Sequence, residues 1–165
     1  MSAAPKVRTA TEADAADLAA IYAPFVTETA VSFESEPPEA NEMRERIART
    51  LLRFPYLVAE TAGDVMGYAY AGQLKDRAAY ARAAETTIYL APEARGRGMG
   101  RLLYTALLDQ LRDRGFHTAI GIIALPNAAS VALHEAVGFR HAGTIREAGR
   151  KFDRWHDVGY YQTML

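Results

Sequence analysis

A chain of 165 residues, 50% hydrophobic and 24% charged, has the size and mix of one globular domain with a sizeable core. Its formal net charge of −1 lacks the basic excess of a nucleic-acid binder. With no cysteine there is no disulfide framework, thiol nucleophile or Cys-based zinc site. No apolar run approaches the roughly 18 residues of a membrane span, and Met1-Ser-Ala-Ala-Pro-Lys-Val-Arg8 lacks the apolar core of a signal peptide. A cytoplasmic protein with neither nucleic-acid nor membrane partner is expected.

Residues 6–10 read as a first strand. Thr11 is placed to cap a helix, with Asp14 three residues on instead of the usual glutamate. Leu18, Ile21, Tyr22 and Phe25 recur at helical spacing within 15–26. Residues 27–38 are polar and proline-rich, hence a loop. Phe33 within it is either a plug on the core or a wall of a ligand pocket. Residues 39–53 make a second helix with Met43, Ile47, Leu51 and Leu52 inward. Strands at 56–61 and 65–71 are joined by a hairpin turn at Ala62-Gly63-Asp64. A polar connection, 72–84, then holds Lys75, Arg77, Tyr80 and Arg82.

The stretch from Thr86 to Tyr104 organises the rest. Ile88, Tyr89 and Leu90 favour a strand, and Pro92 ends its ladder. Gly96, Gly98 and Gly100 remove side chains over five residues, so another molecule can approach the backbone. Leu103, Leu107 and Leu111 then mark a helix that begins in the glycines. Its free first-turn N–H groups, with Arg95, Arg97 and Arg101 beside them, form an anion site. The stretch reads as a pyrophosphate cradle. Residues 117–124 are apolar on both faces, as in mid-sheet. Pro126 ends that strand, Asn127 or Ser130 opens a short helix ending at Gly138, and 139–145 and 155–164 read as final strands. No repeat or linker interrupts residues 1–165, so a single domain is expected.

A P-loop is excluded because Arg101 and Leu102 follow Gly100 where Lys and Ser/Thr are needed. The dinucleotide fingerprint fails because its third glycine would fall on Arg101, with no acid about 20 residues on. Arg95-Gly-Arg-Gly-Met-Gly100 matches Arg/Gln-x-x-Gly-x-Gly/Ala in full. On this run, its flanking strand and helix, and the order of elements, the chain resembles the GCN5-related N-acetyltransferases. The resemblance implies an α/β fold, with a mixed, mostly antiparallel sheet of about seven strands and about four helices, splayed at the central strand pair. It implies acetyl-CoA as cosubstrate, no metal, and a diphosphate held by the backbone of Arg95, Gly96, Arg97, Gly98, Met99, Gly100 and Arg101. Ile88, Tyr89 and Leu90 would also meet the cofactor, an N–H of Tyr89 or Leu90 facing the thioester oxygen.

Transfer to an amine also needs a base and a proton for the leaving sulfur. Glu85 enters an apolar strand, where desolvation raises a carboxyl's pKa; the alternative is a solvated strand-end acid. Family members place a tyrosine in Asn-x-x-Ser-x-x-Leu-Tyr-x-x-x-Gly-Phe, and Asn127-Ala-Ala-Ser-Val-Ala-Leu-His-Glu-Ala-Val-Gly-Phe139 carries His134 there. His134 either relays a proton or is a satisfied helix histidine. It is not half of a His-Glu-x-x-His zinc site, since position 138 is glycine. The resemblance implies that Asn127 binds the CoA arm through its side-chain amide; the alternative is a simple helix cap.

Tyr70–Tyr80, Glu85–Tyr89, Leu133–Phe139 and Trp155–Gly159 resemble the phosphinothricin and methionine sulfoximine N-acetyltransferases, which acetylate the α-amino group of glutamate-like amino acids. The resemblance implies proton-transfer roles for Glu85 and His134, substrate contacts at Phe33, Lys75, Arg77, Tyr80, Thr87 and Val158, and a homodimer. Lys75 and Arg77 suit an anionic acceptor or are ordinary loop charges, and Glu34 and Glu36 would repel one if turned inward. Other readings are transfer to another small amine or a protein N-terminus, or a non-catalytic CoA-binding module. The presence of both Glu85 and His134 argues against the last.

Overall fold

Strand β2 (Tyr56–Thr61) has side chains in two separate cores. Leu57 and Ala59 enter one and Tyr56 and Val58 the other, because successive strand residues point to opposite faces. The same alternation along β3 (Asp64–Gln73) sets Ala69 and Ala71 against Tyr68. The two cores are therefore the two faces of one sheet. The protein is described by a computed structural model over residues 4–165. Met1, Ser2 and Ala3, part of the expected leader-free start, lie outside the described residues.

The sheet has seven strands in the order β1-β2-β3-β4-β5-β7-β6. They are β1 (Lys6–Thr9), β2, β3, β4 (Ala83–Leu90), β5 (Thr118–Leu125), β6 (Arg140–Lys151) and β7 (Arg154–Met164). Neighbours are antiparallel except β4 and β5, which run parallel. Helices α1 (Ala15–Thr27) and α2 (Ala40–Leu51) cover one face, through Leu18, Tyr22, Val26, Met43 and Ile47. Helices α3 (Met99–Asp113) and α4 (Ala128–Ala136) cover the other, through Leu103, Leu107, Leu111 and Leu133. The expected fold class and element order are both found.

Ahead of α1, Asp14 accepts from the Thr11 N–H (2.7 Å) and from both terminal nitrogens of Arg8 (2.8 and 2.9 Å). Several expectations are corrected. Leu52 lies just past the end of α2 and is 87% exposed. Pairing of Gly72 and Gln73 with Glu85 and Ala84 lengthens β3, leaving a shorter connection, 74–82, with one 3₁₀ turn at Ala78–Tyr80. β6 runs six residues beyond the expected end at 145, reaching Lys151. A bulge lies between Ile145 and Gly149, with Glu147 at φ 50° and its N–H on Asp157 Oδ1. The hairpin turns through Phe152 and Asp153, at φ 51° and 58°, a mirror-image turn usually signalled by Asn-Gly. Neither residue announces it.

Candidate active site

β4 and β5 pair only from Ala83↔Thr118 to Thr86↔Gly121, although β4 continues to Leu90 and β5 to Leu125. Beyond Thr86 the two strands part. Ile122, expected to be buried on both sides, is 36% exposed because it flanks this gap. A cavity of about 240 Å³ fills the opening, with Glu85, Thr86, Tyr89, Asn127, Ser130 and His134 in its wall.

The ladder settles which main-chain groups face the gap. Ala91 N–H bonds to Met66 and Ala83 carbonyl accepts from Leu74, so odd-numbered β4 residues turn their backbone groups to β3. Tyr89's amide is therefore in the ladder. Those of Ile88 and Leu90 face the opening, so of the two donors expected for the thioester oxygen Leu90 qualifies and Tyr89 does not. Side chains divide the other way. Thr86, Ile88 and Leu90 lie on the α3/α4 face, and Tyr89 packs on Tyr22 and Phe25 of α1, with Glu85 sharing its face. The opening alone brings both faces into one cavity.

On the α3/α4 face the chain turns through Gly96 and Gly98, at φ 70° and 76°. These are left-handed conformations that glycine adopts without penalty. Gly98 precedes α3, and the Leu102 N–H already bonds to the Gly98 carbonyl. Among the described residues, none of the amides of 96–101 makes a hydrogen bond of good geometry to a protein acceptor. A Cβ on Gly100 would stand 3.1 Å from Leu133 and 3.2 Å from Leu90, so that glycine lets α3 close on α4 and β4. Consecutive free amides at a helix start fit a diphosphate. All three arginines are exposed, and Arg95 lies 5.4 Å over the Phe25 ring. Met99 is buried beneath the loop.

Burial raises the Glu85 pKa, and the charge of Lys75 lowers it in part. Burial lowers that of His134, which is 4% exposed. Its Nδ1 lies 2.7 Å from the Ser130 carbonyl and its Nε2 2.9 Å from the Tyr104 hydroxyl. Asn127 caps α4, its Oδ1 accepting from the Ser130 N–H at 3.2 Å. Its Nδ2 has no protein acceptor among the described residues.

On the α1/α2 face, Thr87 lines the main cavity, and Phe33 and Val158 line an adjoining one of about 340 Å³. Lys75, Arg77 and Tyr80 are not in either wall. They lie exposed on the 74–82 connection, where only Lys75 acts on Glu85. Glu34 does turn inward, but Arg46 pairs with it at 2.7 and 3.1 Å and holds its carboxyl below the usual range. Its charge is thus compensated, and Glu36 is exposed. Tyr22 bonds to Ser32 (2.6 Å) and Glu34 (2.5 Å), and burial with the Glu34 bond pushes its hydroxyl up to about 12. Lys151, far off in β6, donates to the Val26 and Ser32 carbonyls at 2.6 Å each and so holds the 27–38 loop.

Sequence reasoning missed Thr86, Tyr104, Ser130 and Lys151. One signal points to the first two. Gly121, paired with Thr86, interrupts an apolar strand, as happens where something packs close to the backbone, and a Cβ there would stand 3.6 Å from Tyr104 Oη and 2.5 Å from the His134 ring. Among the described residues no cluster of His, Asp or Glu could hold a metal, and no helix is long and apolar enough to cross a membrane.

A family model described as an acetyltransferase (GNAT) domain matches residues 7–159. The chain is 41% identical to a phosphinothricin N-acetyltransferase of Streptomyces viridochromogenes, over 95% of this chain and 86% of the relative. It is 35% identical to an L-methionine sulfoximine/L-methionine sulfone acetyltransferase of Pseudomonas paraeruginosa, over 96% and 94%. Its structure superposes with TM-score 0.94 on a GNAT superfamily phosphinothricin acetyltransferase from Sinorhizobium meliloti in complex with acetyl-CoA, at 36% identity over 98% of this chain and 88% of that one. With the glycine cradle and the parted strands, these matches show that the chain belongs to the GNAT family of acetyl-CoA-dependent N-acetyltransferases.

Proposed function

We propose that the protein moves the acetyl group of acetyl-CoA directly to the amino group of a small glutamate-like amino acid, of the phosphinothricin or methionine sulfoximine kind. The observation that carries this reading is the parted β4/β5 pair. It opens a path between a face lined with free amides and a face bearing a desolvated carboxylate. The relatives' names supply the acceptor class.

The 96–101 amides hold the diphosphate, with Asn127 Nδ2 toward the CoA arm and Ile88 and Leu90 toward the thioester. Glu85 takes a proton from the incoming ammonium, directly or through water, which frees the nitrogen lone pair. The backbone N–H groups facing the gap stabilise charge on the acyl oxygen. Phe33, Thr87 and Val158 bound the acceptor. Lys75 and Arg77 stand on the connection leading to Glu85, where their charge attracts the acceptor's anionic groups, with Tyr80 beside them as a phenol donor. No cysteine is present to carry the acyl group, which supports direct transfer. Residues 1–165 act as one domain, in the cytoplasm, as a homodimer.

Free-thiol release from acetyl-CoA with a panel of amines tests the reading. Turnover with methionine sulfoximine or phosphinothricin, but not with peptides or polyamines, is the expected result. Acetylation confined to peptide N-termini would overturn the acceptor assignment.

A further inference from the structure

Glu85 accounts for one proton of the reaction and leaves another unassigned. Once the amine is neutral, forming the C–N bond obliges its nitrogen to shed a further proton. Breaking the C–S bond obliges the sulfur to gain one. Glu85 stands on the α1/α2 face, whereas its neighbour Thr86 faces α3 and α4.

A hydrogen-bonded chain begins at Thr86. Its Oγ1 lies 2.6 Å from Tyr104 Oη, which lies 2.9 Å from His134 Nε2, and His134 Nδ1 lies 2.7 Å from the Ser130 carbonyl. A carbonyl only accepts, so Nδ1 carries the hydrogen. In the neutral ring Nε2 is then an acceptor. The Tyr104 O–H therefore points at Nε2, and the Thr86 O–H at Tyr104 Oη. Thr86 and His134 are each 4% exposed and Tyr104 0%. Both ring nitrogens are already engaged: Nδ1 is on Ser130, and the Nε2 edge lies against Gly121 and Tyr104. Thr86 and His134 both line the cavity, and Thr86 is the end of the chain that stands at the last β4/β5 pair before the strands part.

We propose that Thr86 is a catalytic residue that accepts the second amine proton, passes its own through Tyr104 to His134, and returns a proton by the same path to the CoA sulfur. The inference rests on acetyl transfer occurring in this cavity. On the outward leg, nitrogen gives a proton to Thr86 Oγ1, Thr86 to Tyr104 Oη, and Tyr104 to His134 Nε2. The resulting imidazolium keeps its Nδ1–H on Ser130. On the return leg each proton moves back one place and Thr86 protonates the thiolate. The net change is one N–H lost, one S–H gained, one C–N bond formed and one C–S bond broken, with no external acid or base. All hydrogens of the resting chain point away from the cavity, the polarity needed to receive a proton there. Burial keeps His134 neutral between turnovers and makes it a ready donor once charged. Tyr104 acts through its neighbours and is a positioning residue.

The test compares Thr86→Val, which keeps the shape without the hydroxyl, with Thr86→Ser, which keeps the hydroxyl, and with Tyr104→Phe. Thr86→Val and Tyr104→Phe should each lower kcat by about 100-fold, with both KM values within about twofold. Thr86→Ser should recover most of the rate. The double variant should be no slower than either single one, because links in series fail together. A proton inventory in H₂O/D₂O mixtures should be curved for the parent protein and linear for Thr86→Val. Independently of turnover, ¹⁵N NMR of His134 should find the proton on Nδ1, with Tyr104→Phe shifting the Nε2 resonance. A full-speed Thr86→Val protein, additive losses, or a proton on Nε2 of the neutral ring would overturn the proposal. If no amino acid in the panel is acetylated, the acceptor assignment alone fails. The NMR arm needs no acceptor, and the kinetic arm then uses whichever amine turns over.

Discussion

The two faces of the sheet meet in one cavity but are built by different means. The α3/α4 face presents main chain to that cavity, the amides of 96–101 shaped by Gly96 and Gly98 at positive φ. The α1/α2 face presents side chains, with Phe33 and Glu34 carried on a loop that Lys151 holds from 119 residues away. A backbone site can be made by consecutive residues, and it leaves a short pattern of glycines. A side-chain site is gathered from distant segments whose residues each look ordinary.

The largest expected effect strikes the backbone side. A valine at Gly98 would need the left-handed region that a β-branched residue resists most, although nothing lies within 4 Å of its Cβ. Gly98→Val should re-aim the loop and remove at least two charge-assisted amide bonds, each worth roughly 1.5–3 kcal/mol. That predicts a loss of acetyl-CoA affinity of about 100-fold or more, measured by titration calorimetry. Unchanged affinity would mean that the face is not a backbone site. Glu85→Gln comes next. Burial raises the Glu85 pKa, so the base works above that raised value and the parent kcat/KM falls as pH drops through it. The variant should lose about 100-fold at neutral pH and recover at alkaline pH, where the amine deprotonates unaided. A loss of equal size at every pH would remove the base assignment.

The same contrast governs what could be read in advance. The turn at Arg95–Gly100 was legible because each glycine answers a geometric need of the turn or the packing. The order of elements was equally plain, since Leu103, Leu107 and Leu111 and the alternation in β2 mark their faces locally. Lys75 and Arg77 suit an anionic acceptor by charge, but exposure is a property of the fold, and they lie outside the cavity wall. Asn127 has one side chain that suits a cap and a ligand alike, and the cap is the contact present. The true length of β6, and with it the reach of Lys151, was hidden because Phe152 and Asp153 turn without a glycine. The compensation of Glu34 was hidden because Arg46 lies on another helix.

Lys151 offers a sharper probe of the acceptor face. It is half-buried and its two carbonyl partners hold the end of α1 and the loop beyond it. Lys151→Met removes both bonds, offset in part because the freed carbonyls can take water, for a net loss of about 1–2 kcal/mol. The acceptor KM should rise about 5- to 30-fold while the acetyl-CoA KM holds. Equal shifts in steady-state kinetics would show that the hairpin steadies the whole cavity instead of one side.

Asp14→Asn supplies the smallest effect and the control for that result. Asp14 and Arg8 also knit the α1/α2 side through side chains, but neither lines the cavity. Arg8 holds the Asp14 carboxyl below its usual range, so the stabilisation is present above about pH 4 and is lost as pH falls through the folded-state value. Arg8 is 31% exposed and partly screened, which limits the expected loss at pH 7 to about 1 kcal/mol, or roughly 2–4 °C in Tm. Calorimetry should find the gap to the parent protein closing as the pH is lowered toward the folded-state value. Both KM values should stay as they were. An acceptor KM raised as far as in Lys151→Met would mean that any loosening of this face disturbs the acceptor, and Lys151 would lose its distinct role.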